Sequence, residues 1–332
     1  MKPQIIHKLT TIKKVVANNL IDNGVYAKSR SEKLVIVIYH GVDKSQNTSF
    51  NERFFSVSNF EKQIASFKKH CNILSYDDFL NANYSSEKTN ILITFDDGYA
   101  NNVNYALPVL DKYNAHAFFF VTGVGTMDKK ILWADVLDIV CRHAGKDSVV
   151  KLNDQVFRFN GLKFVCKELN TDLAAYIQTS KKTGYEEKEE LVRQLLGIYD
   201  FTNKKDMEDY WLLMTDEEIH KASLSKNITI GSHGFYHNNL GSLANADAVA
   251  EVLLSKKYLE NIIQKEVTSI GFPDGSYTEQ LNESLNKEGF KKQFLVDYRF
   301  GDEHKRNYAH DRYGLYPSMG NNHRILYKIL NL

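Results

Sequence analysis

The chain has 332 residues, of which 43% are hydrophobic and 25% charged, a composition typical of a globular protein rather than a disordered or fibrous one. Its 42 Lys and Arg residues nearly balance its 41 Asp and Glu residues, which argues against a nucleic-acid-binding protein. The three cysteines, Cys71, Cys141 and Cys166, are far apart, which argues against a disulfide framework or a structural zinc site.

Residues 1–33 form a basic N-terminal segment, with seven Lys or Arg residues against two acids. We expect a solvated helical segment here, and peripheral contact with anionic lipid at a membrane surface is the alternative. The first twenty residues hold no continuous apolar run of the kind found in signal peptides, and no run of the chain is long enough to cross a bilayer. The sequence therefore predicts a cytoplasmic location, with membrane-peripheral contact as the alternative.

From residue 34 onward, short apolar runs alternate with segments of helical periodicity, which predicts a parallel α/β fold. The runs are continuous rather than alternating, so both faces of each strand are expected to be buried. The predicted strands are Leu34 to Ile38, Ile91 to Phe95, Ala117 to Val121, Ile228 to Gly231, Ser269 to Phe272 and Phe294 to Tyr298.

Between the first two strands, apolar residues at helical spacing predict a helix that begins with a capping box of Ser58 and Glu61. A second amphipathic helix is predicted between about 249 and 263. The stretch from about 125 to 226 breaks the alternation and is predicted to be a mostly helical insertion at the barrel mouth. A capping box of Thr215 and Glu218 begins its last helix.

Three motifs follow directly on predicted strands, where parallel α/β barrels carry their catalytic groups. The first is Thr94-Phe95-Asp96-Asp97-Gly98. Two adjacent carboxylates are costly at a strand end unless a cation or hydrogen bonds compensate them, so one could bind a metal while its neighbour takes a proton. A turn with two solvated acids is the alternative interpretation.

The second motif is Ser232-His233-Gly234-Phe235-Tyr236-His237, whose two imidazoles can reach one metal ion. The third, Gly271-Phe272-Pro273-Asp274-Gly275, is a turn when taken alone. One carboxylate and two histidines together leave coordination positions open, as in catalytic rather than structural zinc sites.

With these motifs the chain resembles the polysaccharide deacetylases with a NodB homology domain, carbohydrate esterase family four. The resemblance extends from about Leu34 to Ser318 and includes Tyr39-His40-Gly41-Val42 and Trp133. It implies an α/β fold, a distorted (β/α) barrel of seven strands spanning residues 34–332. It also implies hydrolysis of N-acetyl groups, and in fewer members O-acetyl groups, on amino sugars of a cell-surface polysaccharide or its precursor.

Carried over by motif position, the resemblance implies that Asp97, His233 and His237 hold one divalent metal ion, with Zn²⁺ as the expected metal. Asp96 would be the general base, and the backbone N–H of Asp274 would stabilise the oxyanion. The substrate partner would be an N-acetylated carbohydrate.

The chain departs from the family pattern at several positions. Many members have an Arg two residues before the Pro of the third motif, where it orients the catalytic Asp, but this chain has Gly271. The late histidine motif that supplies the general acid is not recognisable, and His304 and His310 are the nearest histidines in sequence. The segment of residues 311–317 resembles the closing segment of the longer family members.

His40 ends the first strand beside the predicted catalytic face, as either a functional or a structural histidine. Tyr99, Tyr236, Phe272 and Pro273 flank the motifs as candidates for contact with the sugar, and plain packing of the aromatic residues is the alternative. Two alternative functions stay open: hydrolysis of a small non-sugar amide on the same scaffold, and glycan binding without catalysis.

Overall fold

The computed structural model of the protein describes residues 33–44, 52–180, 184–296 and 307–331. The basic segment of residues 1–33 lies outside these ranges except for Lys33, and so does His304. Within the same ranges, no helix has the length and apolar composition that a membrane span requires.

All six predicted strands are present, and they lie side by side in one parallel sheet. The last begins two residues earlier than predicted and ends at Phe294, while residues 297 and 298 lie outside the described ranges. In chain order the strands are β1 (Leu34–Tyr39), β2 (Val42–Asp43), β3 (Phe55–Ser56), β4 (Asn72–Ile73), β5 (Asn90–Phe95), β6 (Ala117–Val121), β7 (Val149–Leu152), β8 (Gln155–Phe159), β9 (Phe164–Cys166), β10 (Thr171–Asp172), β11 (Ile228–Ser232), β12 (Ser269–Gly271), β13 (Lys292–Phe294), β14 (Ala309–His310) and β15 (Tyr313–Gly314).

The main sheet runs in the order β14-β13-β12-β11-β6-β5-β1-β15, with β4 beside the first half of β5. Its two outermost strands, β14 and β15, are halves of one extended segment, interrupted by Asp311 and Arg312. One half pairs with β13 and the other with β1, at opposite edges of the sheet. This segment therefore joins the two edges. Counted as one strand, it completes the seven-stranded (β/α) barrel that the family resemblance implies.

Helices cover the outside of the sheet, and most bury an apolar stripe against it. In chain order they are α1 (Val57–His70), α2 (Tyr76–Leu80), α3 (Leu107–Tyr113), α4 (Trp133–Cys141), α5 (Leu173–Thr179), α6 (Tyr185–Ile198), α7 (Asp216–Leu224), α8 (Asn245–Ile263), α9 (Glu279–Lys287) and α10 (Asn322–Asn331).

The predicted start of α1 is wrong by two residues. Ser56, not Ser58, has the extended backbone of an N-cap, and its hydroxyl oxygen accepts a hydrogen bond from the Asn59 N–H. Ser58 therefore lies inside the helix. Glu61 accepts a hydrogen bond from Lys112 Nζ on α3 at 2.5 Å instead of closing a capping box.

The segment from about 125 to 226 has its own apolar cluster, separate from the barrel core. Helices α4 to α7 account for most of its regular structure, and the predicted capping box of Thr215 and Glu218 is confirmed at the start of α7. The same segment also contains an antiparallel sheet of four short strands, β7 to β10, which the sequence pattern did not predict.

Candidate active site

The three motifs and His40 converge because each follows a strand of the same parallel sheet. Parallel strands present their carboxyl ends at one edge, so residues far apart in sequence meet there. A cavity of about 490 Å³ opens at this edge. Its lining includes His40, Asp96, Asp97, Trp133, His233, His237, Asp274 and Tyr316, together with residues of α4 and α5 from the inserted segment.

Asp97, His233 and His237 form a compact buried cluster at the base of the cavity. Asp97 Oδ1 lies 3.3 Å from His233 Nε2 and 3.2 Å from His237 Nε2. The three potential ligand atoms all lie within 4.8 Å of one another. This is a one-carboxylate, two-imidazole set of the kind that binds catalytic metal ions.

The hydrogen bond of the other ring nitrogen of His233, Nδ1, supports a metal site at this cluster. Its Nδ1 lies 2.7 Å from the carbonyl oxygen of Gly271, which can only accept, so Nδ1 carries a proton. Nε2 is then the ring nitrogen left to bind a cation, either a proton or a metal ion, and it faces Asp97 Oδ1. Burial opposes a charge on this ring, but the carboxylates of Asp96 and Asp97 outweigh burial, so the pKa of His233 lies above its ordinary value. A backbone carbonyl that fixes the histidine tautomer in this way is a common second partner in metal sites. The cluster therefore fits a divalent metal ion.

Three residues at the site have left-handed backbone conformations that L-amino acids adopt at a cost. Asp97 has φ of 74°, His237 has φ of 51° and Asp274 has φ of 52°. Such conformations persist where the surrounding structure determines them, and they concentrate at functional sites. The surrounding structure therefore holds each of these three residues in one backbone conformation, which fixes the direction of its side chain and of its backbone N–H.

Asp96 is buried beside the cluster and is held by an arginine from the closing segment of the barrel. Arg312 Nη1 donates to Asp96 Oδ1 at 2.6 Å, and Nη2 donates to Oδ2 at 2.8 Å. Burial favours a raised pKa for Asp96, but the charge and hydrogen bonds of Arg312 outweigh it, so the pKa of Asp96 lies below its ordinary value. Asp96 is thus a buried, ionised carboxylate with a fixed orientation.

Arg312 occupies the space next to Gly271, the position at which many family members have the orienting Arg. A Cβ atom on residue 271 would lie 3.3 Å from Arg312 Nη2 and 2.9 Å from the Phe120 ring. The guanidinium also donates to Thr94 Oγ1 and to the Leu295 carbonyl. The third motif lacks the Arg, but the structure supplies one from the segment between β14 and β15.

A second arginine that no sequence motif indicated, Arg53, contacts the other carboxylate oxygen of Asp97 in the cluster. It donates to Asp97 Oδ2 at 3.1 Å and to Asp135 Oδ1 at 2.6 Å. One guanidinium is shared by two buried carboxylates. Burial raises the pKa of Asp135 to about 7, although the Arg53 charge and a hydrogen bond from Tyr99 oppose this rise.

The aromatic residues predicted to contact the sugar do not line the cavity. Tyr99 and Phe272 are fully buried, and the Tyr99 hydroxyl donates to Asp135. Pro273 is buried too, and Tyr236 packs against Tyr185 of α6 with ring centroids 4.8 Å apart. The structure therefore favours the packing alternative for these residues, and the aromatic side chains in the cavity wall are Trp133 and Tyr316.

His40 and Asp274 do line the cavity, as their strand-end positions predicted. Burial and the charge of Arg53 lower the pKa of His40 to about 4, so its imidazole is neutral near pH 7. The side chain of Asp274 is exposed. Their catalytic roles stay predictions.

His310, a candidate for the general acid, lies away from the cavity. Its ring packs edge-on against Phe79, with centroids 4.9 Å apart, and its Nε2 lies 3.4 Å from Lys292 Nζ. Burial and the Lys292 charge lower the pKa of His310 to about 4. The histidine is therefore a neutral packing residue.

This lowered pKa predicts a loss of stability in acid. The unfolded chain takes up the His310 proton near pH 6.5, but the folded chain does so only near pH 4, so stability falls as the pH drops through this window. The contribution is on the order of 1–3 kcal/mol. Urea unfolding at pH 7 and pH 4.5 measures how much the free energy of unfolding falls between these pH values. The fall should be smaller for His310→Gln than for the wild type, whereas the exposed His323→Gln should match the wild type. Equal differences in all three proteins would contradict this prediction.

Comparison with known proteins identifies the family. The model of the polysaccharide deacetylase family matches residues 83–149 and 191–292, just over half of the chain. The chain belongs to the polysaccharide deacetylase family. YxkH of Bacillus subtilis, a provisionally assigned polysaccharide deacetylase, is 26% identical over 106 residues, which are 32% of this chain and 38% of YxkH. The aligned part thus spans well under half of that relative.

Solved structures of family members share the fold. The deacetylase PplD of Streptococcus pyogenes, determined with acetate, aligns with a TM-score of 0.57 at 15% identity, over 92% of this chain and 99% of PplD. IcaB of Ammonifex degensii aligns with a TM-score of 0.53 at 14% identity, over 92% of this chain and 99% of IcaB. BC0361, a polysaccharide deacetylase of Bacillus cereus, gives 0.55 at 16% identity, over 90% of this chain and 69% of its own. These alignments confirm the barrel of this deacetylase-family chain.

Proposed function

We propose that the protein is a metal-dependent hydrolase that removes N-acetyl groups from an amino-sugar polysaccharide or its biosynthetic precursor. The observation that carries the proposal is the cluster of Asp97, His233 and His237 at the base of a cavity, with the Arg-held carboxylate of Asp96 beside it. A non-catalytic glycan-binding protein has no need for a buried ionised carboxylate next to three potential metal ligands.

Asp97, His233 and His237 would hold the ion, and zinc suits a set of two imidazoles and one carboxylate. When bound, the ion supplies Lewis-acid polarisation of the acetyl carbonyl and a lowered pKa for a water molecule. Arg53 supports the set by holding Asp97 Oδ2, which leaves Oδ1 directed at the two histidines.

Asp96 acts as the general base in this proposal. Arg312 keeps the carboxylate ionised and oriented, so Asp96 can accept the proton of the attacking water. The backbone N–H of Asp274, in its left-handed turn, would donate to the oxyanion that develops at the acetyl carbonyl oxygen as water attacks the carbon. A neutral His40 can offer a hydrogen bond without adding charge to the site.

The test is to measure bound metal and released acetate. We expect about one zinc ion per purified chain by mass spectrometry and acetate release from N-acetylglucosamine oligomers. Chelation should abolish the release, and added zinc should restore it. Formation of a free amine in step with acetate distinguishes N-acetyl from O-acetyl hydrolysis.

Three outcomes would contradict the proposal. Acetate release that continues after complete metal removal would refute metal dependence. Release without a new amine from a substrate carrying both ester and amide acetyl groups would favour O-acetyl hydrolysis. Hydrolysis of small amides with none of the sugar oligomers would favour the alternative of a non-sugar substrate.

A further inference from the structure

The loop that carries His237 is held from two sides by buried charged residues. Lys188 of α6 donates from Nζ to the His237 carbonyl oxygen at 3.0 Å and to Asn238 Oδ1 at 3.1 Å. Glu251 of α8 accepts from the Tyr236 N–H at 3.0 Å and from Asn238 Nδ2 at 2.9 Å. Both charged residues are only 5% exposed. The loop is therefore fixed by Lys188 from the inserted segment and by Glu251 from the barrel.

Lys188 contacts the backbone of a potential metal ligand that has a left-handed conformation. His237 has φ of 51°, which a residue with a side chain adopts at a cost. A hydrogen bond to its carbonyl oxygen holds the planar peptide unit that follows, and so limits rotation of the backbone at this residue. The direction of the imidazole, whose Nε2 lies 3.2 Å from Asp97 Oδ1, depends on this backbone conformation.

Packing alone does not account for a lysine at this position. Both of its acceptors are neutral oxygens, and burial of an ammonium group is costly unless a carboxylate pairs with it. Burial lowers the pKa of Lys188 to about 8, against the charges of Asp274, Glu251 and Glu187, so the side chain remains an ammonium group at pH 7. A methionine would fill similar space at a lower cost of burial. The hydrogen bonds to the loop are therefore the reason for an ammonium group here.

The contact joins the inserted segment to the barrel at the metal cluster. Lys188 lies in the gap between the two ranges that the family model matches, whereas His237 lies inside the second range. The inserted segment also contacts the turn directly after Asp97, where the Met214 N–H donates to the Gly98 carbonyl oxygen at 2.9 Å. The segment thus contacts the backbone at or beside two of the three potential metal ligands.

We infer that Lys188 is a positioning residue for His237, so that the inserted segment helps to form the metal site rather than only covering the cavity. This inference rests on the proposed function. The positive charge of the ammonium group repels a nearby cation, so its hold on the His237 loop has to outweigh this repulsion. Hydrogen bonds that orient a metal ligand typically contribute roughly 10- to 100-fold to metal affinity.

The first experiment measures the zinc affinity of the metal-free protein by competition with a fluorescent chelator. Lys188→Met keeps the length of the side chain but removes the donor, so the dissociation constant for zinc should rise roughly 10- to 100-fold. Lys188→Gln keeps an N–H donor on a shorter side chain, so its dissociation constant should lie between those of the wild type and Lys188→Met. An unchanged or lower dissociation constant in Lys188→Met would overturn the inference.

Lys256→Met is the matched control. The Lys256 side chain is 16% exposed and donates to the Val267 carbonyl oxygen at 2.7 Å, before β12 and so at the sheet edge opposite the motifs. Its zinc dissociation constant should match that of the wild type within about twofold. An equal rise in Lys256→Met and Lys188→Met would show a general structural effect and overturn the inference. Failure of the wild-type protein to bind zinc would instead overturn the proposed function, and the inference with it.

The second experiment tests the same contact in the wild-type protein. If Lys188 strengthens zinc binding, zinc must strengthen the attachment of α6 to the loop by the same factor. On zinc binding, backbone hydrogen exchange should therefore slow in α6 by at least about tenfold more than in α10, none of whose described residues lines the catalytic cavity. This extra slowing should disappear in Lys188→Met. Equal slowing of the two helices in the wild type would show only global stabilisation by zinc and would overturn the inference.

Discussion

The Asp96→Asn variant is expected to keep its metal and to lose roughly 10²- to 10⁴-fold in kcat, the usual scale for removal of a general base. Asn matches the shape of Asp but cannot accept the proton of the attacking water. Asp96 is not a member of the Asp97, His233 and His237 cluster, so the ligand set stays complete. Steady-state kinetics with metal analysis on the same samples measures both effects.

The neighbouring variant Asp97→Asn is the matched control. It replaces an anionic ligand with a neutral amide, so the metal should be bound more weakly and activity should partly return in excess metal. If Asp96→Asn lost the metal and Asp97→Asn kept it, the two roles would be reversed. Full activity in both variants would refute the site.

The strands and the main motifs could be predicted from the sequence because parallel strands buried on both faces produce continuous apolar runs. Such runs end where the chain turns, so the residues directly after them are placed at one sheet edge. That rule located Asp96 and Asp97 after β5, and His233 after β11. These predictions needed no information about contacts between distant segments.

The two arginines could not be predicted in the same way. Arg312 lies 216 positions from Asp96 in sequence, and Arg53 lies 44 positions from Asp97. Neither belongs to a motif whose spacing indicates a partner. Only the closure of the barrel by the β14–β15 segment brings Arg312 to the end of β5. The resemblance to longer family members identified this segment, but it did not indicate that Arg312 pairs with Asp96.

The flanking aromatic residues do not reach the cavity for a local reason. Asp97 and Gly98 both have positive φ, so the chain turns sharply after β5 and the alternation of an extended strand no longer determines where a side chain points. Tyr99 enters the cluster under the inserted segment, while Asp97 faces the cavity. The missed antiparallel sheet did leave a signal: Asn153 and Asp154, both at positive φ, join β7 to β8, as is typical of a two-residue hairpin turn.

Barrel closure and the orientation of the general base depend on the same residue. Arg312 is fully buried in the middle of the segment that joins the two sheet edges, and its guanidinium is the bidentate partner of Asp96. A protein with a buried ion pair is seldom more stable than one in which apolar residues of similar volume replace both partners. Removal of one partner alone is strongly destabilising, because the other charge stays buried without compensation.

Arg312→Ala is therefore expected to lower the free energy of unfolding by about 3–5 kcal/mol near pH 7, where Asp96 would be left as a buried lone carboxylate. The pKa of Asp96 should rise once the guanidinium is gone, because burial is then opposed only by the weaker partners. Since activity needs the ionised base, the acidic limb of the kcat/KM profile should move to higher pH. Arg312→Lys keeps a positive charge but loses the bidentate contact with Asp96, so the acidic limb should move less than in Arg312→Ala.

A comparison of Arg312→Ala in the wild type and in the Asp96→Asn variant separates two roles of Arg312, the positioning of Asp96 and the filling of space in the barrel. If Arg312 acts mainly through the Asp96 charge, Arg312→Ala should cost less stability in that background than in the wild type, because an amide needs no counterion. Lys112→Ala is the control: its ion pair with Glu61 is largely exposed to solvent, so its effect on the free energy of unfolding should be far smaller than that of Arg312→Ala. Urea unfolding of the four proteins of this cycle, with pH profiles of the active ones, measures the coupling. An equal cost in both backgrounds, together with an unmoved acidic limb, would show that Arg312 only fills space in the barrel.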